Sequence, residues 1–371
     1  MAAQQSSVEE RRNTAMENII FSPDELEIAF RYSTMKPGPE GKPGFRTPVS
    51  VSENMRRFVS GEVPVWMPYG EFRVFGPEII PDNVARGKVF EENPTEVKGG
   101  PDLFGINWIY DPVVRGSMVR PGAPALEDAN DWKEVIPFPD VEAWDWEGSA
   151  KRNAEYLNVD VPILLTQFTG YFERLISFMD FENAALALID EDQKDAVKDL
   201  FSALTDVYIR ILDKCIDYYG ISWYVFHDDW GSQRAPFFSK AVWQEMIAPY
   251  IARMTEHCHK RGVIFELHSC GHSEMMLDAI SSVGIDLWRP QTMNNLKKMY
   301  DEFGDRIHIA LSVALPPNAT EEEQIAAAQE VLEQYSQPGK YVLVEAFPYP
   351  AGGADAFFAA LYEGSRKRYQ Q

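Results

Sequence analysis

The chain has 371 residues, 45% hydrophobic and 25% charged, which are the proportions of a soluble globular protein long enough to bury one sizeable α/β core. A formal charge of −22 repels nucleic-acid phosphates and anionic membranes, so both are excluded as expected partners. With three cysteines, Cys215, Cys258 and Cys270, no disulfide framework is expected and the cytoplasm is the natural compartment.

No apolar run approaches the length of a membrane span, and the first residues have neither a basic nor an apolar leader region. Residues 1–47 are polar, with Pro37, Pro39 and Pro43 interleaved with Gly38, Gly41 and Gly44. They read as an N-terminal arm lying irregularly on the surface after a short amphipathic stretch near 23–33. Residues 50–61 read as a helix and Val63–Met67 as the first core strand, opening a single catalytic domain over 48–371. From about 71 to 147, alternating apolar residues with glycine and proline breaks read as a hairpin-like insertion, of the kind that shapes active sites in α/β domains.

From 150 onward the pattern is regular. Apolar strands near 161, 221, 262, 285, 306 and 341 alternate with helices. The longest helix, 192–219, places Val197, Leu200, Leu204, Val207, Ile211 and Cys215 on one face. Thr320 with Glu323 forms a capping-box pattern for a helix reaching Tyr335. Adding one more strand near 104 or within the insertion gives eight βα units and predicts a (β/α)8 TIM barrel. An open doubly wound sheet is the alternative; its dinucleotide-binding form has no support, because no Gly-x-Gly-x-x-Gly follows any strand.

Chemistry in such a barrel gathers at the C-terminal ends of the strands. Those ends carry Tyr69 and Glu71; Gln167; His227, Asp228 and Asp229; His268, Cys270 and His272; Arg289 and Gln291; Ser312; and Glu345. The stretch Gly262–His272 is the most informative. Alternation along its strand sends Ile264, Glu266, His268 and Cys270 one way and Phe265 and Leu267 the other. His268 and Cys270 can give a zinc ion a nitrogen and a sulfur from one rigid segment, although a buried cysteine beside a hydrogen-bonded histidine satisfies the same pattern. A catalytic zinc needs three protein ligands and an open position. Glu345, which ends an otherwise apolar strand, is the expected third, with His227, Asp229 and Glu266 competing for the place; an ordinary ion pair to lysine or arginine is the other reading of Glu345. His227, Asp228 and Asp229 form the candidate catalytic group, as a general base or by orienting substrate. The alternative is that one carboxylate caps the next turn while the other holds His227.

The strand ending His268-Ser-Cys-Gly-His272 resembles the uroporphyrinogen decarboxylase superfamily. So do the strand ending Phe226-His-Asp-Asp-Trp-Gly-Ser-Gln233, the Ser239-Lys-x-x-Trp-x-x-Met-Ile-x-Pro-Tyr250 helix and the segment Thr169–Asn183. The similarity runs from about residue 50 to the end of the chain. His-x-Cys-Gly marks the zinc-dependent methyltransferase branch of that superfamily, which works with corrinoid proteins. The resemblance thus implies a TIM barrel, zinc at His268 and Cys270, and a corrinoid protein as partner. Relatives that methylate coenzyme M add a cysteine near the end of the last strand. This chain has no cysteine after Cys270, and Glu345 lies close to that place. Fewer thiolates make a more Lewis-acidic zinc, suited to polarising oxygen.

The expected reaction is therefore transfer of a methyl group from a small methoxylated, aromatic compound to cobalt(I) of a corrinoid protein. Tyr69, Trp108, Gln167, Phe168, Trp230, Trp288 and Arg289 are the candidate substrate contacts, the aromatic ones by stacking. The alternatives are transfer from a methylcorrinoid to a thiol and a metal-free decarboxylation. The latter wants an arginine-rich segment that Arg56-Arg57 does not reproduce. Self-association as a homodimer is the remaining partner expectation.

Overall fold

The computed structural model of the protein describes residues 20–32, 41–81, 99–111, 116–346, 349–350 and 352–370. Short apolar runs bounded by glycine and polar turns form one parallel sheet. Its strands, neighbours in this order, are β1 (Arg73–Val74), β2 (Ile163–Gln167), β3 (Trp223–His227), β4 (Ile264–Ser269), β5 (Leu287–Pro290), β6 (His308–Val313) and β7 (Val342–Ala346). Every adjacent pair is parallel. Strands covered on both faces are apolar along their length, and all five residues of β3 are buried.

Helices cover the sheet. These include α1 (Val51–Ser60), α2 (Phe172–Met179), α3 (Lys194–Tyr219), α4 (Ala248–Arg261), α5 (Leu296–Phe303), α6 (Glu321–Gln334) and α7 (Asp355–Tyr369). The apolar face read for α3 is the buried one, and the Thr320–Glu323 capping box opens α6. At the end of α4, Gly262 takes a left-handed φ of 70° and turns the chain directly into β4. No helix among the described residues is long and apolar enough to cross a membrane.

The sheet curls until its edges meet across residues 65–75. Val344 of β7 donates its amide to the Pro68 carbonyl at 2.8 Å, while Arg73 and Phe75 donate to Pro162 and Leu164 at 2.9 and 2.8 Å. This barrel-like closure departs from the eight strands expected. Among the described residues the parallel sheet has seven, and its first is at Arg73–Val74 instead of Val63–Met67. Pro64 and Pro68 have no N–H for a ladder, which leaves the seam irregular. The strand expected near 104 is not part of this sheet either. Gly99–Pro101, Asn107–Asp111 and Gly116–Val119 form a separate antiparallel sheet. It is tied to α2 by a fully buried ion pair between Arg174 and Asp102, whose carboxylate also accepts from the Trp108 indole at 2.8 Å.

The described residues of the expected arm, 20–32 and 41–47, are regular instead of irregular, while residues 1–19 lie outside the described residues. Ile28–Tyr32 and Lys42–Phe45 pair antiparallel, with Pro43, Gly44 and Phe45 buried. Ahead of them, buried Glu25 accepts from the Tyr362 hydroxyl at 2.6 Å and from Arg366 Nε at 2.8 Å, both on α7. Residues 33–40, with Pro37 and Pro39, lie outside the described residues.

Within the seam sits Glu71, 1% exposed, accepting from the Trp66 indole at 2.8 Å. Burial pushes its carboxyl up to about 7, against the donors Trp66 and Tyr69 and the charge of Lys42. The folded chain therefore holds this proton more tightly than the unfolded chain. Its contribution to stability is complete below the ordinary value of 4.5 and is lost as pH rises towards 7. Glu71→Gln is expected to remove that loss, worth up to about 3 kcal/mol. Urea midpoints should fall from pH 5 to 8 in the wild type and fall less steeply in the variant, where buried Asp228 still titrates; parallel curves would refute the assignment.

Candidate metal centre

The strand register builds the site. His227 pairs with His268, and His268 with Arg289, so the two imidazoles lie at one height and stack with centroids 4.5 Å apart. Just beyond the strand ends, the Cys270 amide donates to Asp229 Oδ1 at 2.7 Å. The two loops also touch backbone to backbone. Gly271 has φ 93°, and a Cβ there would fall 2.3 Å from the Gly231 carbonyl carbon, so only glycine fits. His227, Asp229, His268 and Cys270 consequently offer four ligand atoms within 4.8 Å of one another. His268 Nε2 is 3.5 Å from Cys270 Sγ, and His227 Nε2 is 3.6 Å from Asp229 Oδ1.

Each imidazole is fixed from behind. His227 Nδ1 donates to Glu173 Oε2 at 3.0 Å, and His268 Nδ1 donates to the Arg289 carbonyl at 2.9 Å. With both Nδ1 atoms acting as donors, the Nε2 lone pairs face the cluster. Burial holds His268 well below the usual histidine range; neighbouring His227 and Arg289 add to this and Asp229 opposes it. A neutral imidazole is the form that binds metal. Two nitrogens, a sulfur and a carboxylate suit a borderline-soft divalent ion such as zinc, and the fit rests on these inward-facing donors. Glu173→Ala is expected to weaken zinc retention by roughly ten- to hundred-fold, measured against a competing chelator. Unchanged retention would show that His227 needs no such partner.

Glu345 is not among the four. Its carboxylate pairs with Arg289 Nη1 and lies 3.6 Å from Lys42 Nζ. Burial raises its pKa, but Arg289 and Lys42 outweigh that and hold it below the usual carboxylate range. Glu345 thus takes the ion-pair reading and not the ligand one. Glu266 is also occupied, by Arg289 and by the Trp223 indole at 3.0 Å. Glu266, Arg289, Glu345 and Lys42 therefore form one row of paired charges. Lys42 comes from the N-terminal hairpin, and its ammonium donates to the Gly70 carbonyl at 3.1 Å.

The candidate catalytic trio is split. His227 and Asp229 join the cluster, while Asp228 belongs to the start of α2. Fully buried, it accepts from the amides of Tyr171, Phe172 and Glu173 at 3.0, 3.0 and 2.9 Å and from the Trp230 indole at 2.8 Å. Burial and neighbouring Glu173 push its carboxyl up to about 7 against these donors.

Most of the expected substrate contacts are placed in packing. Tyr69 donates to the Pro43 carbonyl at 3.2 Å between Phe45 and Phe358. Gln167 donates to the Thr169 carbonyl at 3.1 Å, and Trp108 sits in the antiparallel sheet. Trp230 packs edge-on against Trp243 and stacks at 6.4 Å on buried Trp288. Arg289 is held by its two carboxylates. Phe168, after β2, is half-buried.

Sequence reading missed Glu173 and Lys42. Glu173 shows only as an acidic residue in the first turn of a helix, a common pattern on its own. Lys42 lies between a glycine and a proline in what reads as a loop.

The uroporphyrinogen decarboxylase (URO-D) family model matches residues 156–350, more than half of the chain, and the protein belongs to that family. A comparison with curated proteins finds no match. Among solved structures, the chain is similar to a methyltransferase from Methanosarcina mazei. The identity is 16%, with 84% of this chain and 98% of that one covered and a TM-score of 0.60. That likeness is one of fold. A more distant similarity is to the catalytic domain of a GH26 endo-β-1,4-mannanase from Bacillus sp. JAMB-750, at 10% identity, 86% and 91% coverage and a TM-score of 0.38.

Proposed function

We propose that the protein is a zinc-dependent methyltransferase that moves a methyl group from a small methoxylated, aromatic compound to cobalt(I) of a corrinoid held by a partner protein. Family membership and a fold shared with a methyltransferase support the class. The cluster of His227, Asp229, His268 and Cys270, with both histidines fixed to present Nε2, is the observation that carries it. Zinc held there by three of the four donors would keep one position for a substrate ether oxygen and supply Lewis acidity to it.

The chain's own residues do the rest. Glu173 and the Arg289 carbonyl keep both imidazoles in the tautomer that leaves Nε2 open. Two anionic donors, Asp229 and Cys270, match a divalent charge, so the loaded centre is close to neutral. The adjoining row has two carboxylates and two cations, and Arg289 is engaged on both sides. Such a wall suits a neutral ether better than a polyacid, which favours demethylation over decarboxylation of a porphyrinogen-like substrate. Half-buried Phe168 and Phe72 offer ring surface for an aromatic substrate. As the methyl group leaves, charge grows on the ether oxygen, and that is what the site has to stabilise.

The test is single turnover with a methoxyarene and a reduced corrinoid protein, following methylcorrinoid by absorbance and the phenol by chromatography. Both products should form together. Transfer only from methylcorrinoid to a thiol would reverse the direction, and no transfer either way would overturn the reading.

A further inference from the structure

We propose that Gln291 is a positioning residue for this centre, whose side-chain amide donates to Cys270 Sγ and sets how strongly that sulfur can donate to a metal ion. The inference rests on the metal-centre reading above. Gln291 follows β5 directly, and its Oε1 accepts from the Gly271 amide at 2.8 Å. An amide is planar, so committing its oxygen turns the NH2 the other way, where Nε2 lies 3.0 Å from Cys270 Sγ. The arrangement is held from both sides. Asn294 Nδ2 donates to the carbonyls of Gln291 and Gly271 at 2.9 and 3.0 Å, and its Oδ1 accepts from Ser273 and Glu274 at 2.9 and 3.0 Å. With the Arg289 carbonyl on His268, residues 289–294 fix both members of the His-x-Cys pair.

A donor aimed at a thiolate draws charge from the sulfur, which then gives less to a bound ion. The ion stays a stronger Lewis acid, as an ether oxygen requires. Gln291 thereby offsets part of what a sulfur ligand costs such a centre.

The experiment loads the full chain with Co2+ and records the thiolate-to-cobalt charge-transfer band, which should be present in the wild type and absent in Cys270→Ser. Gln291→Leu removes both contacts. Gln291→Glu, at pH 8, keeps an acceptor for the Gly271 amide and removes the donor to sulfur. Both variants are expected to move the band to lower energy, because a sulfur relieved of the donor gives more charge to the ion. If Gln291→Glu keeps the wild-type band while Gln291→Leu shifts, the residue only holds the loop and the inference fails. Bands unchanged in both variants also refute it. A wild type that binds Co2+ with no such band, or binds none, overturns the metal-centre reading itself and this inference with it.

Discussion

Alanine at His268 or Cys270 is expected to abolish metal binding and methyl transfer together. Purified wild type should carry close to one zinc per chain, and each variant almost none. Both residues sit on or just after β4, where the Arg289 carbonyl and the Gln291 amide hold them, so each substitution removes a donor that is already fixed in place. Lewis-acid stabilisation of a leaving oxygen contributes several kcal/mol, so transfer should fall about a thousand-fold or more. Glu345→Ala is the control. Its carboxylate is spoken for by Arg289 and Lys42, and the variant should keep its zinc. Loss of zinc in Glu345→Ala would return that residue to the ligand set, and a metal-free wild type prepared without chelators would remove the centre altogether.

Asp228→Ala should be the most damaging change to the fold near the site. It leaves three backbone amides and an indole without their acceptor in a dry interior, where each such group costs about 1–3 kcal/mol. Water entering the gap recovers part of this, so a loss of about 3–5 kcal/mol is expected, a large share of the stability of any domain. The effect should reach the metal centre as well. Asp228 fixes the turn that carries Glu173, and Glu173 orients His227. Chemical denaturation and zinc retention measured on one preparation test both links. A wild-type midpoint in Asp228→Ala would end the capping assignment.

Much of this was legible in the sequence, and the limits have physical causes. The period-two alternation of β4 placed His268 and Cys270 on one side; that His268 lies beside His227 comes from the strand register, which the sequence did not show. The family was readable because its motifs are local. Asp228 and Asp229 are adjacent, and alternation says only that they diverge, one to the cluster and one to the helix layer. Which goes where depends on α2, whose first turn lies more than 50 residues earlier. Glu345 posed a similar ambiguity, since a carboxylate ending an apolar strand can be satisfied by a metal or by a cation. Its cations, Arg289 and Lys42, come from β5 and from the N-terminal hairpin, and no local pattern announces them. The strand expected at Val63–Met67 failed through its prolines, and the one near 104 because short alternating runs look alike in parallel and antiparallel sheets.

The contact between Gly271 and Gly231 bears on when the centre is assembled. Because the two ligand-bearing loops meet through bare backbone, their spacing is set by the same close packing that completes the fold. The entropy of gathering four donors from two segments is then part of the folding free energy and is not charged to the ion on arrival. A protein built this way can let its metal exchange without dismantling the pocket.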